Sequence, residues 1–203
     1  FNEFMTRHLA QIRKNGGSDD FIGRVLGSQK TLGDEEITAL VLLVSQAGTG
    51  TAAYGIGNAL AILASHPERE RALAPNQIAA TVSECLRYDP PFHIIRRHTQ
   101  EDVALLGHRF PRETQIGCLT ASACHDDAVW PDGNKFDPFR VMRPHLGFGK
   151  GVHACIGSSL TNLIMKVALP ALFSRCPNLR FVTKPTFAND YMFRRYERLD
   201  VCI

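Results

Sequence analysis

A stretch without a single Asp, Glu, Lys or Arg, from Ile37 to Ser65, constrains the fold of this chain more than any other feature. A helix of that length is long enough to cross a bilayer. Its middle, SQAGTGTAAYGIGN, is made of polar and small residues, which gain little from transfer into lipid. A helix buried through the centre of a mainly helical domain explains both properties, and we expect that arrangement. A membrane span is the alternative.

The composition is that of a globular protein and argues against several classes. The chain has 203 residues, enough for one domain with its own core, and is 44% hydrophobic and 21% charged. A net charge of +3 without a run of Lys or Arg gives no indication of nucleic-acid binding. Six scattered cysteines without a CxxC pair favour reduced thiols in a cytoplasm. The opening FNEFMTRHLA is amphipathic and charged, unlike a signal peptide.

Helical periodicity dominates the first half of the chain. Residues 1–14 form a predicted helix with an apolar side made of Phe4, Met5, Leu9 and Ile12. Ser18 or Asp19 is the expected N-cap of a short second helix, and Asp34 the expected N-cap of the uncharged helix, which ends near residues 65–68. A further helix is predicted from about Pro75 to Tyr88, where the sequence DPP stops it.

The second half mixes strands, an irregular segment and one more helix. Residues 102–120 predict short strands around turns at Gly107 and Pro111, and residues 125–145 predict a long irregular segment. A helical stripe follows, made of Leu160, Leu163, Ile164, Val167, Ala171 and Leu172, with Pro170 expected to kink it. Strands are predicted at 179–182 and 199–203. The fold class is therefore mainly α with a minor β component.

The sequence FGKGVHACIG, residues 148–157, is the most informative motif for chemistry. Cys155 lies just ahead of a predicted helix, whose first free N–H groups and dipole stabilise a thiolate. Phe148 can pack against a flat ligand, and His153 can reach a carboxylate at its edge. A thiolate with one open face is what a haem iron requires. Three glycines allow tight turns and a close approach to the backbone: Gly149, Gly151 and Gly157.

Three other uses of this cysteine remain open on the residues alone. A structural zinc site needs more ligands than His153 and Cys155, and the remaining candidates show no paired spacing: His145, His125 and Cys124. A nucleophilic cysteine with His153 as its base is a second use. A merely buried cysteine is the commonest fate of this residue type, but it leaves the glycine and histidine pattern unexplained.

The pattern Phe-Gly-x-Gly-x-His-x-Cys-x-Gly closely resembles the haem loop of the cytochrome P450 superfamily in its soluble bacterial form. The resemblance implies that Cys155 is the axial ligand of the iron of haem b, iron protoporphyrin IX. It covers all 203 residues, which match the C-terminal half of a family member. We therefore expect residues 1–203 to form one portion of a haem-binding domain that lacks its N-terminal half.

Two further elements match the family in the right order. Glu84 and Arg87 form its Glu-x-x-Arg element, and a spacing of three places them on one helical face. By itself such a pair is usually a weak surface contact. The resemblance implies that the pair is buried, structural and joined by Arg140 of FDPFR. The region around Trp130 resembles the irregular segment that surrounds this network in the family.

The resemblance also assigns residues to the cofactor and to the substrate. Arg97 matches the arginine that pairs with a haem propionate, and Arg96 is the alternative. Ile94 and Ile95 precede it and become candidate substrate contacts, although a place in a strand core explains them equally well.

The motif AGTGT, residues 47–51, matches the family's Ala-Gly-x-acid-Thr motif on the helix that crosses the open face of the haem. Ala47 and Gly48 would leave room for oxygen and substrate, and Thr51 would hydrogen-bond dioxygen and a proton-carrying water. Gly50 replaces the usual acid, so protons are expected to come through ordered water on Thr51 or from a group on the substrate. Asn162 and Ile164 also depart from the family, where an Arg and a Glu often occur.

The function that this resemblance implies is that of a haem-thiolate monooxygenase acting on a small, apolar organic substrate. Electrons would come from NAD(P)H through a ferredoxin-type donor that docks on the Cys155 side, where Lys150 can contribute. The alternative is a non-catalytic auxiliary protein that stabilises a partner, which Gly50 and the missing half favour. Haem uptake with substrate-dependent NAD(P)H consumption separates the two.

Overall fold

The computed structural model describes residues 1–28 and 32–203, and it confirms the predicted fold class. The described part contains seven α-helices and four two-stranded antiparallel sheets. It divides into two units, Phe1–Gly50 and Thr51–Ile203.

The first unit is built on the predicted N-terminal helix, α1 (Asn2–Lys14), followed by the short helix α2 (Phe21–Leu26). Met5 and Leu9 of α1 are buried against Ile37, as the spacing of four predicts. Phe4 was expected on the same side, which is wrong: its side chain is 57% exposed because it lies one position off this stripe, where it stacks on His8.

The N-terminal caps differ from the expected ones by one or two residues. Asp20, not Ser18 or Asp19, caps α2: its carboxylate accepts a hydrogen bond from the Gly23 N–H at 2.8 Å. Ser18 instead donates to that carboxylate. The long helix α3 (Asp34–Ala64) begins with a bond of 2.8 Å from the Gly33 N–H to Glu36.

Asp34, the expected cap of α3, instead accepts hydrogen bonds from the Arg13 guanidinium of α1. The bond from Nη1 to Oδ2 is 2.9 Å long. This hydrogen bond and the positive charge of Arg13 lower the pKa of the Asp34 carboxyl below its usual range.

Helix α3 ends at Ala64, close to the predicted end, but it is less buried than predicted. Asn58, Ala59 and Leu63 are buried, whereas residues 42–49 are exposed. By length and composition α3 is the one helix in the described ranges that is able to cross a membrane. Core helices of water-soluble proteins and signal sequences have the same length and composition.

In the second unit, α3 is followed by α4 (Arg69–Ala72), α5 (Ile78–Tyr88), α6 (Thr120–Ala123) and α7 (Ser158–Arg175). The sequence did not predict α4, and α5 begins three residues later than Pro75. Along α7 the buried side consists of Met165, Leu169 and Phe173, which pack with α3 and α5. Most of the predicted apolar stripe is exposed instead, including Leu160 (61%), Leu163 (55%) and Val167 (62%).

Four antiparallel hairpins or pairs account for the β component. β1 (Ile95–His98) pairs with β4 (Gln115–Cys118), and β2 (Val103–Leu105) pairs with β3 (His108–Phe110) through the predicted turn at Gly107. The remaining strands are β5 (Arg180–Phe181) with β8 (Val201–Cys202), which were predicted, and β6 (Thr186–Phe187) with β7 (Tyr196–Arg198), which were not.

Candidate functional site

A buried ion pair at the end of α5 organises this region. Glu84 and Arg87 are 3% and 1% exposed, and the guanidinium donates from Nε and Nη2 to the two carboxylate oxygens at 2.7 and 2.9 Å. Arg87 donates its remaining hydrogens to three backbone carbonyls, those of Cys124, Gly133 and Lys135. Its five N–H groups are therefore all used, which is what a buried guanidinium requires.

Arg140 joins this pair from the irregular segment, as the resemblance implies. Its Nε lies 3.4 Å from Glu84 Oε1, and its Nη atoms donate to the carbonyls of Pro131, Asp132 and Lys135. Trp130 is buried with its ring 5.3 Å from the Arg87 guanidinium carbon. Two arginines thus hold a segment that has few backbone hydrogen bonds of its own.

The loop that carries Cys155 connects this network to α7. Gly149 and Gly151 have φ angles of 68° and 78°, in the left-handed region that side chains disfavour. Gly157, in contrast, has an ordinary φ of −85° and is the N-cap residue of α7. The Cys155 N–H donates to the Phe148 carbonyl at 2.9 Å, which closes the loop.

The Cys155 thiol is exposed, and it lies beside the start of α7. A Cβ at Gly157 would be 3.9 Å from the Cys155 Sγ, so the sulfur is next to the residue where the helix begins. Two apolar neighbours are also open to solvent, Val152 at 97% and Ile156 at 83%. An exposed thiol between exposed apolar side chains is a surface suited to an apolar ligand.

Burial distinguishes two of the other cysteines from Cys155, and the positions of the candidate ligands bear on the zinc alternative. All six cysteines are free thiols, and burial raises the pKa of both Cys85 and Cys124, which keeps them protonated. The exposure of Cys155 contradicts the interpretation of a merely buried cysteine. Among the described residues, no three His, Cys, Asp or Glu side chains converge on one point.

The two candidate arginines of β1 point to opposite faces of the strand, because side chains alternate along it. Ile95 and Arg97 share one face, and the Ile95 Cδ1 lies 3.6 Å from where a Cβ of Gly149 would be. Arg97 is therefore on the face that adjoins the cysteine loop, and Arg96 is on the other. Both side chains are exposed, and Arg97 donates to the Arg96 carbonyl at 2.9 Å. Ile94 and Ile95 are half-buried.

The remaining predicted site residues are exposed or half-buried. His153 is exposed at the end of a short 3₁₀ turn, and Lys150 is exposed before it. In α3, Ala47 and Gly48 are exposed, and a Cβ at Gly48 would meet nothing within 4 Å. Gly50 and Thr51 are half-buried.

The sequence did not point to two residues that support the cysteine loop, His145 and Gly147. His145 accepts a hydrogen bond from the Gly147 N–H at 3.1 Å and so caps the turn Leu146–Phe148. A Cβ at Gly147 would lie 2.8 Å from the Leu86 carbonyl oxygen, which leaves no room for a side chain. The only signal was their place in PHLGFG, directly ahead of the motif.

Comparison with known proteins establishes the family. The family model described as Cytochrome P450 matches residues 1–78 and 76–186. The chain belongs to the cytochrome P450 family. Biotin biosynthesis cytochrome P450 of Bacillus subtilis (strain 168) is 33% identical over 204 residues, which cover 96% of this chain and 51% of that protein. 6-Deoxyerythronolide B hydroxylase of Saccharopolyspora erythraea is 31% identical, with 92% and 47% covered.

Solved cytochrome P450 structures share the fold. The crystal structure of P450BioI in complex with hexadec-9Z-enoic acid ligated acyl carrier protein has a TM-score of 0.88 and 32% identity, and the match covers 99% of this chain and 52% of that one. One of the unusual cytochrome P450-like monooxygenases involved in microbial secondary metabolism has a TM-score of 0.91 and 26% identity, covering 98% and 55%. The chain spans about half the length of the curated relatives it matches.

The buried network predicts that loss of the acidic charge destabilises the fold much more at Glu84–Arg87 than at Glu68–Arg71, a pair with the same spacing. Glu84→Gln leaves Arg87 charged and buried, and it should lower the free energy of unfolding by about 3 kcal/mol. Glu68→Gln removes the charge from the exposed pair Glu68–Arg71, where the side chains are 49% and 68% exposed, and should cost less than about 1 kcal/mol. Urea denaturation followed by circular dichroism measures both. Equal losses would contradict the assignment of Arg87 as the point that holds the irregular segment.

Proposed function

We propose that this chain forms the haem-binding half of a cytochrome P450 monooxygenase in which Cys155 ligates the iron of haem b. The observation that carries the proposal is the exposed Cys155 thiol at the start of α7, in a loop with left-handed turns at Gly149 and Gly151. These residues fit the cofactor, because the thiol, the missing side chains and the exposed apolar neighbours together suit a flat apolar ligand with a metal at its centre.

Other residues of the chain would hold the edges of the cofactor. Arg97 shares a strand face with Ile95, beside the cysteine loop, and its guanidinium suits a propionate. His153 is exposed in the same loop and would hold a second carboxylate. Phe148 is half-buried against the core and would present one edge of its ring.

Bound haem would supply the redox chemistry by which dioxygen, two electrons and two protons convert a substrate C–H group to an alcohol and one molecule of water. The residues of the chain contribute proton handling and exclusion of water. Thr51 has a hydroxyl that would hold a water as proton carrier, on the turn of α3 that the family places over the cofactor. Gly50 supplies no acid at the neighbouring position, so protons must come through ordered water or from the substrate.

The electron donor and the substrate are proposed in the same way. A ferredoxin-type protein carrying electrons from NAD(P)H would dock on the Cys155 side, where Lys150 is exposed. The substrate would be a small apolar organic molecule, with Ile94 and Ile95 as contacts. Six free thiols are consistent with a cytoplasmic location. A nucleic-acid partner or a membrane is not part of this proposal.

Oxygen-isotope labelling tests the proposed reaction. The chain loaded with haem is supplied with NAD(P)H, a ferredoxin and its reductase, and a panel of small apolar compounds under ¹⁸O₂. We expect one labelled atom in an oxidised product and the other in water. Haem uptake without product, and NAD(P)H consumption independent of every compound, both in the chain and in a protein that also carries the N-terminal half, would overturn the catalytic assignment and favour the auxiliary role.

The geometry of β1 predicts which arginine holds the propionate. Arg97→Ala should weaken haem binding by about tenfold, since a charge-assisted hydrogen bond to a carboxylate is lost. Arg96→Ala, on the opposite face of the strand, is the matched control and should change the affinity by less than twofold. Titration of each variant with haem, followed by absorbance, measures the difference. The reverse order would assign the role to Arg96.

Because Gly50 replaces the usual acid, a carboxylate introduced at this position should increase product formation. Gly50→Asp should raise the rate of product formation, and with it the yield in a fixed time, by about tenfold, below the ~100-fold of an optimally placed general acid. Gly50→Asn has nearly the same shape without an acid and should leave the yield unchanged. Product and hydrogen peroxide are quantified together in the haem-loaded chain. Similar yields for both variants would show that the proton path does not depend on this position.

A further inference from the structure

We propose that His145 is a positioning residue for the cysteine loop: its neutral imidazole caps the turn Leu146–Phe148 and thereby fixes the backbone that carries Cys155. The inference rests on the proposed function only in that the loop it stabilises presents the haem ligand.

The cap is visible in the hydrogen bonding at the start of the turn. His145 has extended backbone angles, φ −113° and ψ 165°, as an N-cap residue has, and its Nδ1 accepts from the Gly147 N–H at 3.1 Å. An acceptor at Nδ1 requires the neutral tautomer that carries its proton on Nε2. A protonated ring has a donor at Nδ1 and cannot make this bond.

Gly147 is confined between this imidazole and the end of α5. A Cβ at Gly147 would lie 2.8 Å from the Leu86 carbonyl oxygen and 2.9 Å from His145 Nδ1. The residue before Arg87 therefore touches the turn directly. His145 contacts the same glycine, so its side chain couples the Glu84–Arg87 helix to the cysteine loop.

Two backbone hydrogen bonds connect the capped turn to Cys155, the proposed haem ligand. The Gly149 N–H donates to the Leu146 carbonyl, and the Cys155 N–H donates to the Phe148 carbonyl, each at 2.9 Å. The Phe148 ring packs against the core and lies 6.0 Å from the His145 ring. A shift of the capped turn thus moves the acceptor on which the Cys155 amide depends.

The surroundings of His145 favour its neutral form. Burial lowers the pKa of this imidazole, Arg87 lowers it further, and Glu84 opposes the change. The Leu146 and Gly147 N–H groups also face the Cys124 thiol, which burial keeps protonated. The charged and titratable groups around the ring come from α5, from the residue that follows α6 and from the irregular segment: Glu84, Arg87, Cys124, Arg140 and Arg143.

The sign of the pH dependence follows from the lowered pKa. The unfolded chain binds a proton at His145 at higher pH than the folded one, so the contribution of the cap is complete above the ordinary histidine pKa of about 6.5. It is lost as the pH falls below that value and through the folded pKa.

Amide hydrogen exchange read by mass spectrometry tests the cap on the 203-residue chain, first without haem and then with it. His145→Asn keeps an acceptor near the Nδ1 position and does not titrate, whereas His145→Leu removes the acceptor at similar volume. We expect exchange of residues 146–149 to become about fivefold faster in the Leu variant, the value for a lost cap of ordinary strength, and to stay unchanged in the Asn variant. His108→Asn, at an exposed position in β3, is the control.

The pH dependence separates positioning from simple loss of packing. Between pH 7.5 and 5, after correction for intrinsic exchange, the wild-type turn should lose about fivefold protection and the Asn variant none. Equal protection in the wild type and the Leu variant, or equal loss in the Leu and Asn variants, would overturn the proposal. If the Leu variant does not fold, the comparison of wild type and Asn variant across pH decides. Failure to bind haem would contradict the proposed function and leave the exchange result standing.

Discussion

The guanidinium of Arg87 is the interaction on which this part of the molecule depends. Its five N–H groups bind both oxygens of Glu84 and three backbone carbonyls, so that one buried charge joins α5 to the irregular segment. A charge buried to this degree is tolerated only while every partner is present. The cysteine loop is attached at the same place, because Gly147 packs on the carbonyl of Leu86 and the loop begins from there. Local order around Cys155 therefore depends on a buried ion pair that lies outside the cysteine loop.

The sequence was sufficient to predict the helices of this arrangement and the protein family. Spacing placed Glu84 and Arg87 on one helical face, and the glycine pattern around Cys155 indicated turns that the structure contains at Gly149 and Gly151. The backbone acceptors of Arg87 could not be predicted, because a carbonyl is present at every residue and leaves no pattern in the sequence. Histidine is an uncommon N-cap, so the only signal for His145 was its place directly ahead of the glycine motif. The shift of the α2 cap to Asp20 has a different cause, because Ser18, Asp19 and Asp20 offer equivalent capping side chains.

Periodicity also does not say which apolar face of a helix is covered. Helix α7 has apolar residues on more than one side, and the structure buries Met165, Leu169 and Phe173 while Leu160, Leu163 and Val167 remain exposed. The relatives that match this chain are about twice as long, and exposed apolar stripes of this kind are typical of surfaces that pack against further protein. Gly50 is a different kind of departure, because it replaces an acid at a position outside the cysteine loop and, under the proposed function, bears on the supply of protons.

Ligation of haem iron by Cys155 is tested most directly by the absorbance spectrum of the haem-loaded chain after reduction and exposure to carbon monoxide. A strongly red-shifted Soret band that disappears in Cys155→Ala and persists in Cys118→Ala, another exposed cysteine, is the predicted result. A band typical of histidine-ligated haem in the unsubstituted chain, or a red-shifted band that survives in Cys155→Ala, would contradict it.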